Sequence, residues 1–180
     1  MKFESIKKIL YFLFLLSFTM SCEKKQSLQR FYVDHEEKQG FMSLDVPISL
    51  LDIEDKLTEK QKDAYESVDK FNALSYRIED GGEEKYDTYL TEIKTIFKNL
   101  VYEELMRGTI EGGKFKLMFT GEEDALDELI IFASSKEKGF AVVRVLGDDM
   151  NANDLIELGA SLENINPDNS NVNEILNFFK

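Results

Sequence analysis

The chain reads as an α+β protein: a single domain of helices packed on one mostly antiparallel sheet, in the order β-α-β-α-β-β-β-β-α. Three observations predict this class. Between Leu28 and Leu100, stretches with apolar residues at every second position interleave with stretches spaced by three and four. From Tyr102 to Leu146, strand-like stretches follow one another with no helical stretch between them. Two of these, around Ile130 and Val143, are almost continuously apolar, as strands buried on both faces at the centre of a sheet must be.

The elements follow in order. Ser27–Glu37 suits a first amphipathic helix with Leu28, Phe31 and Tyr32 on one side. Phe41–Val46 alternates, with Met42, Leu44 and Val46 on one face and Ser43 and Asp45 on the other; Pro47, which cannot donate to a ladder, ends it. Thr58-Glu59-Lys60-Gln61 fits a capping box, so a helix is predicted to run to about Lys70 with Ala64, Tyr65 and Val68 as its stripe. Asn72–Ile78 alternates again and stops at Gly81-Gly82.

The clearest helix spans Glu83–Leu100, because Tyr86, Tyr89, Leu90, Ile93, Ile96, Phe97 and Leu100 recur at helical spacing. Tyr102–Ile110 and Lys114–Thr120 flank Gly112-Gly113, a pair able to take the positive φ angles of a hairpin turn. Glu128–Ser134 and Phe140–Leu146 are the two continuous apolar strands, joined through Ser135–Gly139. Asn153–Leu162 closes the pattern as a helix, with a last helix over Val172–Phe179. No internal repeat or low-complexity linker divides residues 27–180, so one domain is expected.

Before this domain comes a different kind of sequence. Lys2, Lys7 and Lys8 precede an apolar run from Ile9 to Phe18, too short for a spanning helix of about 20 residues. The run ends at Thr19-Met20-Ser21-Cys22. A basic head, an apolar middle and a small residue at the boundary predict an export signal over residues 1–21. The boundary resembles the lipobox of bacterial lipoproteins, although leucine, usual at one position, is absent from Thr19. That resemblance implies cleavage before Cys22, a lipid on its sulfur and a short tether over residues 22–26. Cys22 is the chain's one cysteine, so no intramolecular disulfide competes for it. The alternative is a hydrophobic N-terminal core helix with an incidental cysteine.

Charge narrows the partners. The chain carries 22 basic and 35 acidic residues, net −13, and loss of residues 1–21 would leave 19 and 34, net −15. Such a field repels nucleic acid and anionic lipid surfaces and favours solubility. At 43% hydrophobic and 12% aromatic residues the chain still has enough apolar surface for a packed core.

Candidate chemistry is thin. His35 is the only histidine, which excludes a two-histidine metal site within the chain and leaves no second histidine for a catalytic pair. Its neighbours Asp34, Glu36 and Glu37 predict a solvated position. Neither glycine pair is followed by the residues of a P-loop or a dinucleotide fold, so both are expected to be turns and no cofactor is implied.

From Asp148 to Asp154, oxygen-bearing residues recur at alternate positions. Asp149, Asn151 and Asn153 would fill the first ligand positions of a calcium loop, but Asp154 stands where its glycine belongs and Ala160 where its final glutamate belongs. The competing expectation is that Asp148 and Asp149 leave the strand through a turn while Asn151 or Asn153 caps the next helix. Glu122, Glu123, Asp124 and Asp127 could supply paired carboxylates or simply a solvated loop. Arg144 sits in the most apolar strand and requires a carboxylate partner or a surface position, leaving anion binding as the minority reading. Arg144, Asp148 and Asp149 are therefore the candidate ligand residues.

Asp127-Glu-Leu-Ile-Ile-Phe-Ala-Ser-Ser135, Lys138-Gly-Phe-Ala-Val-Val-Arg-Val-Leu-Gly-Asp-Asp-Met150, Phe41-Met-Ser-Leu-Asp-Val-Pro47 and Tyr102-Glu-Glu-Leu-Met-Arg107 together resemble domain-of-unknown-function family 4252. The resemblance implies a lipoprotein of the Bacteroidota envelope and brings no activity, catalytic residue or cofactor. In that phylum acidic residues after the lipidated cysteine accompany surface exposure. Glu23-Lys24-Lys25-Gln26 is not such a run, which implies an outer-membrane anchor facing the periplasm. Three function classes are open: a non-enzymatic module that binds an envelope protein or small ligand, a calcium-dependent or carboxylate-based hydrolase, and a carrier of a hydrophobic molecule. The last is motivated by 14 phenylalanines and six methionines.

Overall fold

A computed structural model describes residues 26–162 apart from 52, 100, 111 and 123. The export signal, Cys22, most of the tether, Glu123 and the helix expected over Val172–Phe179 lie outside the described residues.

Helix α1 (Leu28–His35) starts where the Ser27 hydroxyl accepts from the Arg30 N–H. Strand β1 (Phe41–Pro47) leads into two short 3-10 turns, Ile48–Leu50 and Glu54–Lys56. Helix α2 (Glu59–Glu66) carries the capping box in full, Thr58 and Gln61 each serving the other's backbone N–H. Strand β2 (Val68–Arg77) is followed by a single turn, α3 (Ile78–Gly81), and by α4 (Glu83–Ile96). The remaining strands are β3 (Glu103–Ile110), β4 (Gly113–Glu122), β5 (Ala125–Ser135) and β6 (Gly139–Met150), and α5 (Ala152–Leu162) follows.

The six strands form one open antiparallel sheet in the order β1-β2-β6-β5-β4-β3. The fold is α+β, and the two continuously apolar strands, β5 and β6, occupy its centre. Their burial on both faces is what excludes them from an edge. At one edge, β1 tolerates Pro47 opposite Lys70 because its outer side has no ladder to donate to.

Register divides the sheet into two faces. On the first, Leu74, Val142 and Phe132 lie side by side across β2, β6 and β5, and Tyr76 pairs with both Phe41 and Phe140. Helices α1 and α4 cover this face, packing Leu28, Phe31, Ile93 and Ile96 onto Leu74, Ile130, Phe132 and Val142. On the second, Val145, Leu129 and Phe119 form a row near one end, covered by Ile48 and by Ala152 and Leu155 of α5. A satellite cluster of Ile53, Leu57, Ala64, Tyr65 and Leu158 joins α2 to α5.

Several boundaries differ from those the sequence predicts, among them the helix expected to reach Leu100, which ends at Ile96, and the strand expected from Glu128, which begins at Ala125. The helix expected to reach Lys70 ends at Glu66, and Val68 opens β2 opposite Gly147, because the tertiary ladder outcompetes continuation of a short helix. Strand β6 does not stop at Leu146 but runs to Met150, which pairs with Leu126. In keeping with the alternation of β1, Phe41 lies on the helix-covered face, opposite to Met42 and Leu44.

A buried arginine cluster as the candidate functional site

Arg144 is held by β6 on the helix-covered face, flanked in register by Asn72 on β2 and Ile130 on β5. It is only 7% exposed. Its Nε donates to Glu128 on β5, its Nη1 to Gln29 on α1, and its guanidinium stands 5.5 Å from the centre of the Tyr32 ring. Glu128 is likewise buried, so each charge compensates the other where water cannot. The cluster pins α1 to the two central strands.

Tyr32 completes it. Its hydroxyl lies 2.8 Å from the Val142 carbonyl oxygen and 3.2 Å from that of Asn72, tying α1 to β6 and β2. Burial raises the Tyr32 phenol well above its usual range, with Arg144 pulling the other way and Glu128 reinforcing the rise. Burial also raises Tyr102, next to the same ion pair, so both phenols stay protonated at ordinary pH. Asn72 Oδ1 is buried beside this group with no hydrogen-bond partner among the described residues. The arrangement spends the guanidinium on structural bonds: a carboxylate, an amide oxygen and a ring surround it.

The acidic stretch at the end of β6 is built differently. Asp148 and Asp149 are exposed, and Asp149 adopts φ +50, a conformation open to aspartate at modest cost. The Asp148 N–H donates to the Ser67 carbonyl at 3.1 Å, so this residue continues the sheet instead of leaving it through a turn. Asn151 Oδ1 accepts from the N–H groups of Asn153 and Asp154, which makes Asn151 the N-cap of α5. Asp154 pairs with Lys60 at 3.0 Å across to α2. Among the described residues no group of three or more His, Cys, Asp or Glu side chains converges as a metal site would need. Asp124 and Asp127 are both exposed.

His35 is not solvated. It is 3% exposed, stacks on Phe31 with ring centres 4.1 Å apart, and has Nδ1 2.8 Å from the Phe31 carbonyl oxygen and Nε2 3.5 Å from Glu92. Phe41 and Tyr89 close the remaining sides of the ring. The signal for this burial is in the chain: Leu28, Phe31, Tyr32 and His35 stand at i, i+3, i+4 and i+7 on one helical stripe. The three acidic neighbours point elsewhere. The Arg144 partners Glu128 and Gln29, 16 and 115 residues away, leave no such local signal.

Compared with known proteins, the chain matches no curated protein and no solved structure. One family model matches, over residues 23–158, a stretch that takes in every described strand and both halves of the arginine cluster. On that match the chain belongs to the family described as "Domain of unknown function (DUF4252)".

Proposed function

We propose that this protein is a lipid-anchored component of the bacterial envelope, held through Cys22 at the outer membrane and facing the periplasm, whose domain is a non-enzymatic binding or interaction module. The observation that carries the reading is the N-terminal order of basic head, ten-residue apolar run and Ser21-Cys22, with the family's domain beginning directly after the cysteine at residue 23. A lipid there supplies the more than one acyl chain that stable anchoring requires.

The domain's polar chemistry supports a module more than an enzyme. Arg144 and Glu128 neutralise one another, Asn151 is spent on a helix cap, and Asp154 is engaged by Lys60. What remains for recognition is surface and shape, and the membrane is the first partner, with an envelope protein the second.

Cys22→Ala tests the anchor. The variant is expected to accumulate as uncleaved precursor without incorporated fatty acid, whereas normal processing would overturn the reading. Cross-linking in intact cells with a C-terminal tag then tests the module: a reproducible envelope protein is expected, and capture of background alone would move weight away from a protein partner.

A further inference from the structure

The sheet ends in two unlike edges. Strand β1 includes Pro47, which has no N–H to offer a neighbour, whereas β3 contains no proline and among the described residues pairs only with β4. Past the bulge between Glu104 and Met106 it runs in regular register from 106 to 110, with Arg107 and Thr109 exposed and Met106 45% exposed. A free edge of this kind is a template for one more strand.

Its two sides differ in chemistry. Arg107 stands opposite Lys116 and Thr109 opposite Lys114, all on the helix-covered face with Met118. Thr109 is short enough to leave Lys114 within reach of a strand placed beyond it. Partial burial, followed by the nearby charge of Lys114, holds the Lys94 ammonium on α4 below its usual range, with Asp87 opposing and Lys116 adding to the effect. Glu104 pairs with Lys116 at 2.7 Å and with Arg107 at 3.1 Å, while among the described residues neither Lys94 nor Lys114 has an ion pair. In a chain of net charge −15 after loss of residues 1–21, this corner is basic. On the other face Gly108 stands opposite Phe115 and Met106 opposite Leu117. A Cβ on Gly108 would overlap the Phe115 ring, so the ring itself lies at the edge, on the same side as Met106.

These sides define the strand that fits. A neighbour in register presents alternate residues to Arg107 and Thr109 on the basic side, and the residues between them to Met106 and Gly108 on the apolar one. The edge repels its own kind: paired with itself over 106–110, it would set Arg107 against Thr109 and Lys114 of a second copy. Cations at an edge ordinarily serve that refusal, and the same cations attract a strand of opposite charge. We propose that the β3 edge takes an extended segment of a partner protein as a seventh strand, one that alternates acidic residues facing Arg107, Lys114 and Lys116 with apolar residues facing Met106 and Phe115. The inference rests on the reading of the domain as an interaction module and adds the surface and the kind of partner.

The probe is an eight-residue peptide of alternating glutamate and valine, titrated into the mature protein. Calorimetry is expected to show saturable binding that weakens as salt rises, and hydrogen exchange to show slowed N–H groups between 106 and 110. A peptide with the same residues in two blocks, glutamates first and valines after, should bind about tenfold more weakly, and so should the alternating peptide to Arg107→Glu combined with Lys114→Glu. Both of these side chains are exposed, so far-UV circular dichroism should not change. The comparison of the two peptides needs no variant and keeps the test readable should the charge reversal unfold the protein. Absence of binding, equal binding of the two peptides, or protection of N–H groups elsewhere than β3 would overturn the proposal. Self-association of the protein that protects the same N–H groups would assign the edge to a second copy and overturn it equally. An envelope protein captured by cross-linking in cells, alongside a peptide that does not bind, would leave the interaction module standing and remove this edge from it.

Discussion

Arg144 shows how a residue becomes structural in one environment and exposed to failure in another. The guanidinium crosses from β6 to Glu128 on β5 and to Gln29 on α1, so deleting it strands a buried carboxylate. Arg144→Ala is expected to lower unfolding stability by about 3–5 kcal/mol, the usual cost of an uncompensated buried charge. Replacing both partners, as Arg144→Met with Glu128→Leu, should recover most of that loss, since the pair's desolvation penalty disappears with its attraction. Urea unfolding of the two variants checks this; a double variant as unstable as the single one would mean that contacts to Gln29 and Tyr32 matter more than charge compensation. The need for a partner was legible in the sequence, because a cation stood in an apolar strand. Which partner was not: Glu128 meets Arg144 only through the antiparallel register of β5 and β6 and the bulge between Leu126 and Glu128. His35 is the reverse case, where local acidic neighbours hid a helical stripe that buries the ring.

At the scale of elements, local chemistry was legible wherever it was locally satisfied. The Thr58 and Gln61 box closes within four residues, and helix α2 starts where it says. Thr58→Ala should therefore lower stability by about 1 kcal/mol, read as a shifted urea midpoint with unchanged slope, because it frees the Gln61 N–H in an element that the sheet otherwise supports. No shift would mean that burial of Ala64 and Tyr65 alone holds α2. Where elements ended by tertiary competition, the sequence was silent. Val68 has helical spacing from Ala64 and Tyr65, yet it serves β2 because Gly147 lies opposite and the Asp148 N–H reaches Ser67. Gly147 also has a spatial reason that no pattern announces: a Cβ there would overlap the Ser67 carbonyl. Strand β6 thus absorbs Gly147–Met150, and the alternate oxygens that resembled a calcium loop are the end of a strand and a helix cap.

For the whole molecule, the chain's path defines an orientation once the Cys22 anchor is granted. The Gln26 carbonyl accepts from Asn99 at 3.3 Å, so the described chain begins beside the turn that follows α4. Cys22 is four residues earlier, a reach of at most ~14 Å. The same end of the sheet holds Glu128 and Tyr102, whose phenol feels the Glu128 charge. The Ser135–Gly139 turn lies at the other end, seven residues along β5 from Glu128, about 24 Å at ~3.4 Å per residue. A molecule of net charge −15 after loss of residues 1–21 gains nothing by lying flat on an anionic bilayer, which favours standing on its short tether. Exposed Val101 should then be the bilayer-proximal site and Glu137 the distal one. With fluorescent labels placed singly at these positions in lipidated protein on vesicles, a lipid-borne quencher is expected to quench the label at 101 more strongly than that at 137. Equal quenching would mean that the domain tumbles freely about its tether, and stronger quenching at 137 that it has folded back over the membrane; either result would remove the fixed orientation while leaving the anchor itself to the Cys22→Ala test.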